Sequence, residues 1–151
     1  MKNEPPSLIA IDHDDYHASQ VGRTADGRQF FATTPFVGTS QKSGPGHEFI
    51  AVYLFDEHGR LLEARIDDLG DRESLDNDRA AQLLEQRIGE LGPLRYGRIL
   101  VQPFEIERFG FNFGLIPRLY ACDDGERWVV ELQPGNFMAF YEPWDRGVYD
   151  T

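Results

Sequence analysis

The chain has 151 residues, and 26 acidic side chains against 15 lysines and arginines give it a formal net charge of −11. Its 40% apolar and 13% aromatic content, with Gly and Pro in no regular period, excludes collagen-like, coiled-coil and disordered chains. The acidity and the even spread of arginines along the chain argue against direct binding of nucleic acid.

The N-terminal residues predict a cytoplasmic protein. Residues 1–6 lack the apolar core of a signal peptide, and no apolar run approaches the roughly 18 residues of a membrane span. The single cysteine, Cys122, forms neither an internal disulfide nor a zinc site by itself. We therefore expect one domain over residues 1–151, with a flexible segment at residues 1–7 and no cofactor.

Two acidic stretches have a superficial likeness to metal sites. His13, Asp15 and His17 alternate, so an extended backbone would place them on one side. No fourth ligand follows at a fixed spacing, which favours a hydrogen-bonded His17 and no metal. The acidic run over residues 67–78 lacks the spacing of a calcium loop and predicts a solvated loop before a helix.

Turn residues divide the first half of the chain into strands. Asp26-Gly27 predicts a two-residue hairpin loop, because glycine accepts a positive φ. Residues 37–46 predict a loop. Residues 49–55 are apolar at both parities, which predicts a strand buried on both faces near the middle of a sheet. Residues 61–66 alternate, as a strand with one buried face does.

One helix follows these strands. The apolar residues recur at helical spacing, namely Ala80, Leu83, Leu84, Ile88 and Leu91. Ser74 or Asp76 can cap its start, Gly92-Pro93 ends it, and it is expected to cover the second face of the central strand. Strand patterns then resume. The predicted fold is α+β, a largely antiparallel sheet of about eight strands with one main helix, in the order β-β-β-β-α-β-β-β-β.

The second half contains aromatic and acidic residues but no complete catalytic motif. Phe109, Phe111 and Phe113 alternate with small residues, which favours three rings packed in the core over a recognition groove. No nucleophile elbow occurs, and Cys122 lies beside two aspartates that disfavour a thiolate. Acid–base pairs among the glutamates remain open, the candidates being Glu105, Glu107, Glu131 and Glu142.

The C-terminal tail, residues 142–151, combines aromatic and charged residues without a strand or helix period. Such a tail is held either by docking of Trp144 and Tyr149 on its own domain or by a neighbouring chain.

Short sequence words spread over most of the chain resemble bacterial proteins called formate hydrogenlyase regulatory proteins. The words are Asp15-Tyr16-His17, Gly22-Arg23, Asp26-Gly27, Phe30-Phe31, Tyr53-Leu54-Phe55-Asp56, Arg95-Tyr96-Gly97, Gly114, Pro143-Trp144-Asp145 and Tyr149-Asp150-Thr151. The resemblance implies regulation of an enzyme system through protein contacts, and it supplies no catalytic residues.

The leading functional hypothesis is a non-enzymatic acidic domain that binds a protein with a basic face. Such a domain acts as a regulator or as an immunity-type inhibitor that occludes its partner. The expected contact residues lie in the tail, at Trp144, Asp145, Tyr149 and Asp150.

Two other classes remain open. A small-molecule binding protein or small hydrolase would have a pocket between sheet and helix, with His17, Arg23 and one or two carboxylates as its polar groups. A structural homodimer would pack the aromatic strand or the tail across a two-fold axis.

Overall fold

The structure, a computed structural model, describes residues 4–16, 18–39, 44–135, 138–147 and 149–150. These residues form thirteen strands, one α-helix and one 3₁₀ helix. Before the helix lie β1 (Ile9–Ile11), β2 (Val21–Thr24), β3 (Gln29–Thr33), β4 (Phe36–Val37), β5 (His47–Phe55) and β6 (Leu61–Asp71). The α-helix α1 spans Asn77–Gly89. After it come β7 (Leu94–Tyr96), β8 (Ile99–Val101), β9 (Phe104–Arg108), β10 (Phe111–Cys122), β11 (Gly125–Gln133), β12 (Ala139–Phe140), η1 (Trp144–Arg146) and β13 (Tyr149–Asp150).

The strands form three sheets, and every pairing is antiparallel. One sheet has the order β13-β12-β11-β10-β9. In the six-stranded sheet β5 pairs with β3, β4 and β6, and β2 joins β3 to β7. The third sheet is the pair β1-β8. The α+β class with antiparallel strands and one main helix is confirmed, but the strands form three sheets and not the single predicted sheet, and they are more numerous than the predicted eight. Six of them have two or three residues, too few for an alternating pattern to be visible in the sequence.

Strand β5 lies at the centre of the molecule, and all residues from Phe49 to Phe55 are buried. Ala51, Tyr53 and Phe55 belong to the main core, which the six-stranded and five-stranded sheets and β1-β8 enclose together. Val52 and Leu54 belong to a second, smaller core on the opposite face. The predicted strand with two buried faces is therefore confirmed.

Helix α1 covers the second face of β5, as its apolar stripe predicts. Leu84 and Ile88 pack against the smaller core. Asp76 is the N-cap, and its carboxylate accepts hydrogen bonds from the backbone N–H groups of Asp78 and Arg79. No residue of α1 is fully buried, so the helix is attached along one side only. In the described part of the chain, no helix is long and apolar enough to cross a membrane.

Two local predictions are wrong. The β2–β3 turn is longer than two residues. The Gly27 N–H donates to the Thr24 carbonyl at 3.1 Å, which closes a four-residue turn whose last residue is Gly27, at φ +89°. In addition, the expected solvated loop at residues 67–78 begins as strand, because β6 continues to Asp71 beside His47. An edge strand exposes one side to water and accepts acidic side chains there. Its composition therefore resembles that of a solvated loop.

Candidate functional site

A concave surface lies between the end of β6 and the helix α1. This cleft, here called the acidic cleft, has a volume of about 550 Å³. Its described lining residues are Asp68, Leu69, Ser74, Leu75, Asp76, Arg79, Ala80, Gln82, Leu83 and Gln86. It therefore combines leucines with carboxylates, as a surface that binds an amphipathic segment does.

The floor of the acidic cleft exists because the apolar stripe of α1 is longer than the surface it covers. Leu84 and Ile88 pack on the smaller core, whereas Ala80 and Leu83 line the cleft. Leu69 adds to the floor from β6, at a bulge where Asp68 pairs with Phe49 and Gly70 pairs with Glu48. Bulges of this kind interrupt the ladder and change the course of an edge strand.

The rim of the acidic cleft is negative. Residues 67–78 contain six acids and one cation, Arg72. Arg72 is engaged elsewhere, since its guanidinium lies 4.8 Å from the ring centre of Phe36 and 3.8 Å from the Glu48 carboxylate. Asp71 and Glu73 are exposed beside the cleft. Asp67 is paired with Arg87, and Arg79 lines the cleft itself, so this surface carries both signs of charge with an excess of acids.

The predicted tail contacts are mainly occupied by the protein's own chain. Trp144 and Tyr149 are half-buried and pack against the main core. The ring centres of Tyr149 and Phe140 are 5.5 Å apart, and β13 pairs with β12. Asp145 is exposed, and its carbonyl accepts a hydrogen bond from Arg98 at 2.9 Å. The backbone of Asp150 belongs to β13, but its side chain lies outside the described residues.

Arg23 lies on β2, away from the tail residues in the fold. It is exposed and lines a second cleft of about 500 Å³ beside Pro93 and Leu94. No carboxylate is among the described lining residues of this cleft. His17 lies outside the described residues. The structure thus does not bring Arg23 together with an acid in a pocket between sheet and helix.

The rings of Phe109, Phe111 and Phe113 all lie against the ring of Phe49. The ring centre of Phe49 lies 6.0 Å from that of Phe109, 5.8 Å from that of Phe111 and 5.0 Å from that of Phe113. Phe113 is fully buried, Phe111 is half-buried and Phe109 is 53% exposed. The motif therefore forms an aromatic cluster that begins in the core and ends at the surface.

Glu131 is the buried member of the four glutamates that the sequence left open as acid–base candidates, whereas Glu105, Glu107 and Glu142 are exposed. It is 6% exposed on β11, and its carboxylate accepts hydrogen bonds from the Tyr120 hydroxyl and, at 3.0 Å, from the Gln133 amide. The Arg118 guanidinium lies 3.7 Å away. The hydrogen bond to Glu131 raises the pKa of Tyr120. Strand alternation suggested an exposed acid, and no local signal indicates that this position is covered.

The remaining chemistry is sparse. Cys122 is exposed, its thiol donates to the Gly125 carbonyl at 3.1 Å, and the nearby Asp124 carboxylate raises the pKa of the thiol, as expected from the neighbouring aspartates. Among the described residues no group of three or more His, Cys, Asp or Glu side chains is arranged to hold a metal ion.

Comparisons with protein-family models, with curated proteins and with solved structures found no match to this chain.

Proposed function

We propose that the protein is a non-enzymatic binding module, a regulator or an immunity-type inhibitor, that holds a basic segment of a partner protein in the acidic cleft. The observation that carries the proposal is the uncovered apolar floor of Leu69, Leu75 and Leu83 beneath a rim of carboxylates. Apolar anchors supply most of the affinity of such a contact, and charges on the rim accelerate association. The resemblance to bacterial regulatory proteins is consistent with this role.

The proposal places the main contact away from the tail. Trp144 and Tyr149 contribute to the protein's own packing, which leaves less of their surface for a partner. The acidic cleft has apolar surface available for a partner. Leu69, Leu75 and Leu83 are half-buried but face a space that the described chain does not fill.

Affinity capture from native lysate at low and high salt, followed by measurement of association rates, tests the function. We expect a basic partner that is lost at high salt. The variant Asp71→Lys/Glu73→Lys should slow association. The matched variant Glu105→Lys/Glu107→Lys makes the same change in net charge on exposed positions of β9 and should slow it less.

Replacement of Leu83 by Asp tests the apolar floor separately and should speed dissociation. Equal effects of the two charge-reversal variants would show that the association rate depends on the net charge of the protein and not on the charges beside the cleft. Absence of any salt-sensitive partner, or an unchanged dissociation rate in Leu83→Asp, would contradict binding in the cleft.

A further inference from the structure

Two arginines face each other across the β2–β7 ladder. Arg23 is directly opposite Arg95 in the register of this antiparallel pair. Side chains at such positions lie on the same face, with Cβ atoms about 4.5–5.5 Å apart, and like charges there destabilise the sheet. The arrangement therefore has a cost that a bound anion would remove.

Neither arginine has a carboxylate partner among the residues that the structure describes. No described residue forms an ion pair with Arg23 or Arg95. By contrast, Arg28, Arg65, Arg87 and Arg98 all have carboxylate partners within about 3 Å. Arg23 and Arg95 are therefore two exposed, neighbouring cations without a described carboxylate partner in a chain of net charge −11.

The two side chains belong to one cleft. Its volume is about 500 Å³, and its other described lining residues are Thr24, Ala25, Gly27, Pro93 and Leu94. These residues supply apolar walls and no negative charge. An oxyanion attached to a small apolar body would match both parts of this lining.

Gly22 makes this juxtaposition possible. A Cβ atom at Gly22 would lie 2.1 Å from the Arg95 carbonyl oxygen, closer than any real contact. Only glycine lets β7 approach β2 in this register, so the position of Arg95 opposite Arg23 depends on it.

We propose that the cleft between β2 and β7 binds the oxyanion of a small molecule, a carboxylate or a phosphate, between Arg23 and Arg95. Guanidinium groups donate paired N–H groups to such anions, and these charge-assisted hydrogen bonds are strong. Pro93, Leu94 and Ala25 contact the apolar part of the molecule. Because the net charge of the protein repels anions at long range, the local pair of cations must supply the attraction. This site is independent of the acidic cleft.

Calorimetric and NMR titrations of the full chain with inorganic phosphate and with benzoate test the proposal. We expect binding that perturbs the amides of β2 and β7. Arg23→Gln and Arg95→Gln should each lower the affinity about tenfold or more, because each removes a charged donor. Arg127→Gln, a change at an exposed arginine on β11 without a described ion pair, should leave the affinity unchanged. Tighter binding of phosphate would identify a phosphoryl group, and tighter binding of benzoate a carboxylate.

Arg95→Glu separates binding from folding. It places a carboxylate opposite Arg23, so it should raise the melting temperature while abolishing binding of both anions. Binding retained in Arg95→Glu, equal affinities of the wild type and Arg23→Gln, or no binding of either anion by the wild type would overturn the proposal.

Discussion

Tyr53 lies fully buried in the main core, and its hydroxyl has no hydrogen-bond partner among the described residues. A buried hydroxyl without a partner loses its hydrogen bonds to water and gains none. Tyr53→Phe should therefore raise the free energy of unfolding by about 1 kcal/mol, as measured by urea denaturation. Tyr120→Phe is the matched control. It should lower the free energy of unfolding, because it removes the hydrogen-bond donor to buried Glu131.

The same two tyrosines give the protein a dependence on alkaline pH. Burial raises the pKa of Tyr53, and the hydrogen bond to Glu131 raises that of Tyr120. The unfolded chain releases these protons near pH 10, before the folded protein does. The free energy of unfolding is therefore independent of these two groups below about pH 10, and it falls as pH rises from there toward the native pKa values. Tyr53→Phe should lose stability less steeply above pH 10. Parallel curves for the variant and the wild type would contradict this.

Helix α1 is attached to the rest of the protein along one side only. It has no fully buried residue, and beyond Leu84 and Ile88 its main tie to the sheet is the Arg87–Asp67 ion pair at 2.8 Å. Elements with few buried contacts open at lower free energy than core strands. The helix that forms one wall of the acidic cleft is therefore better able to adjust to a partner than the core strands are.

The cap of α1 provides a test at this scale. Asp76→Ala removes the acceptor for the N–H groups of Asp78 and Arg79, so it should lower the free energy of unfolding by about 1 kcal/mol and speed hydrogen exchange in the first turn. Asp78→Ala retains the Asp76 cap and should lower the free energy of unfolding by less than Asp76→Ala does. Amides of β5 should exchange more slowly than those of α1 in every variant. Equal losses for the two substitutions would show that charge rather than capping matters at this helix end.

At the scale of the whole molecule, the C-terminal tail joins several separate elements. Arg98 binds the Asp12 carboxylate and the Asp145 carbonyl, and η1 lies against β1. Gly147 passes so close to Asp12 that a Cβ atom there would lie 2.5 Å from its carboxylate oxygen. The tail is therefore part of the packed structure in the described residues.

Trp144→Ala tests whether the tail stabilises the fold. Half-burial of this ring against the main core should make the substitution cost about 1–2 kcal/mol of the free energy of unfolding, measured by denaturation without any partner. Arg146→Ala, an exposed position in the same short helix, should change stability by less than about 0.5 kcal/mol. If Trp144→Ala left the free energy of unfolding unchanged, the tryptophan would instead be a contact for a partner.

The sequence by itself determined the parts of this protein that depend on neighbouring residues. Apolar residues at both parities identified β5 as a central strand, and the stripe from Ala80 to Leu91 identified the helix and the face it covers. The first signal is a continuous apolar run and the second a helical period, and both are patterns contained within one element.

Only the tertiary structure decided the features that join distant segments. It brought Arg95 beside Arg23, buried Glu131 beneath Tyr120 and left Leu83 over a cleft instead of a core. The acidic run at residues 67–78 began as an edge strand because of its register with β5, not because of its composition. Strand register and the covering of a sheet face depend on contacts between residues far apart in the chain, which no local pattern encodes.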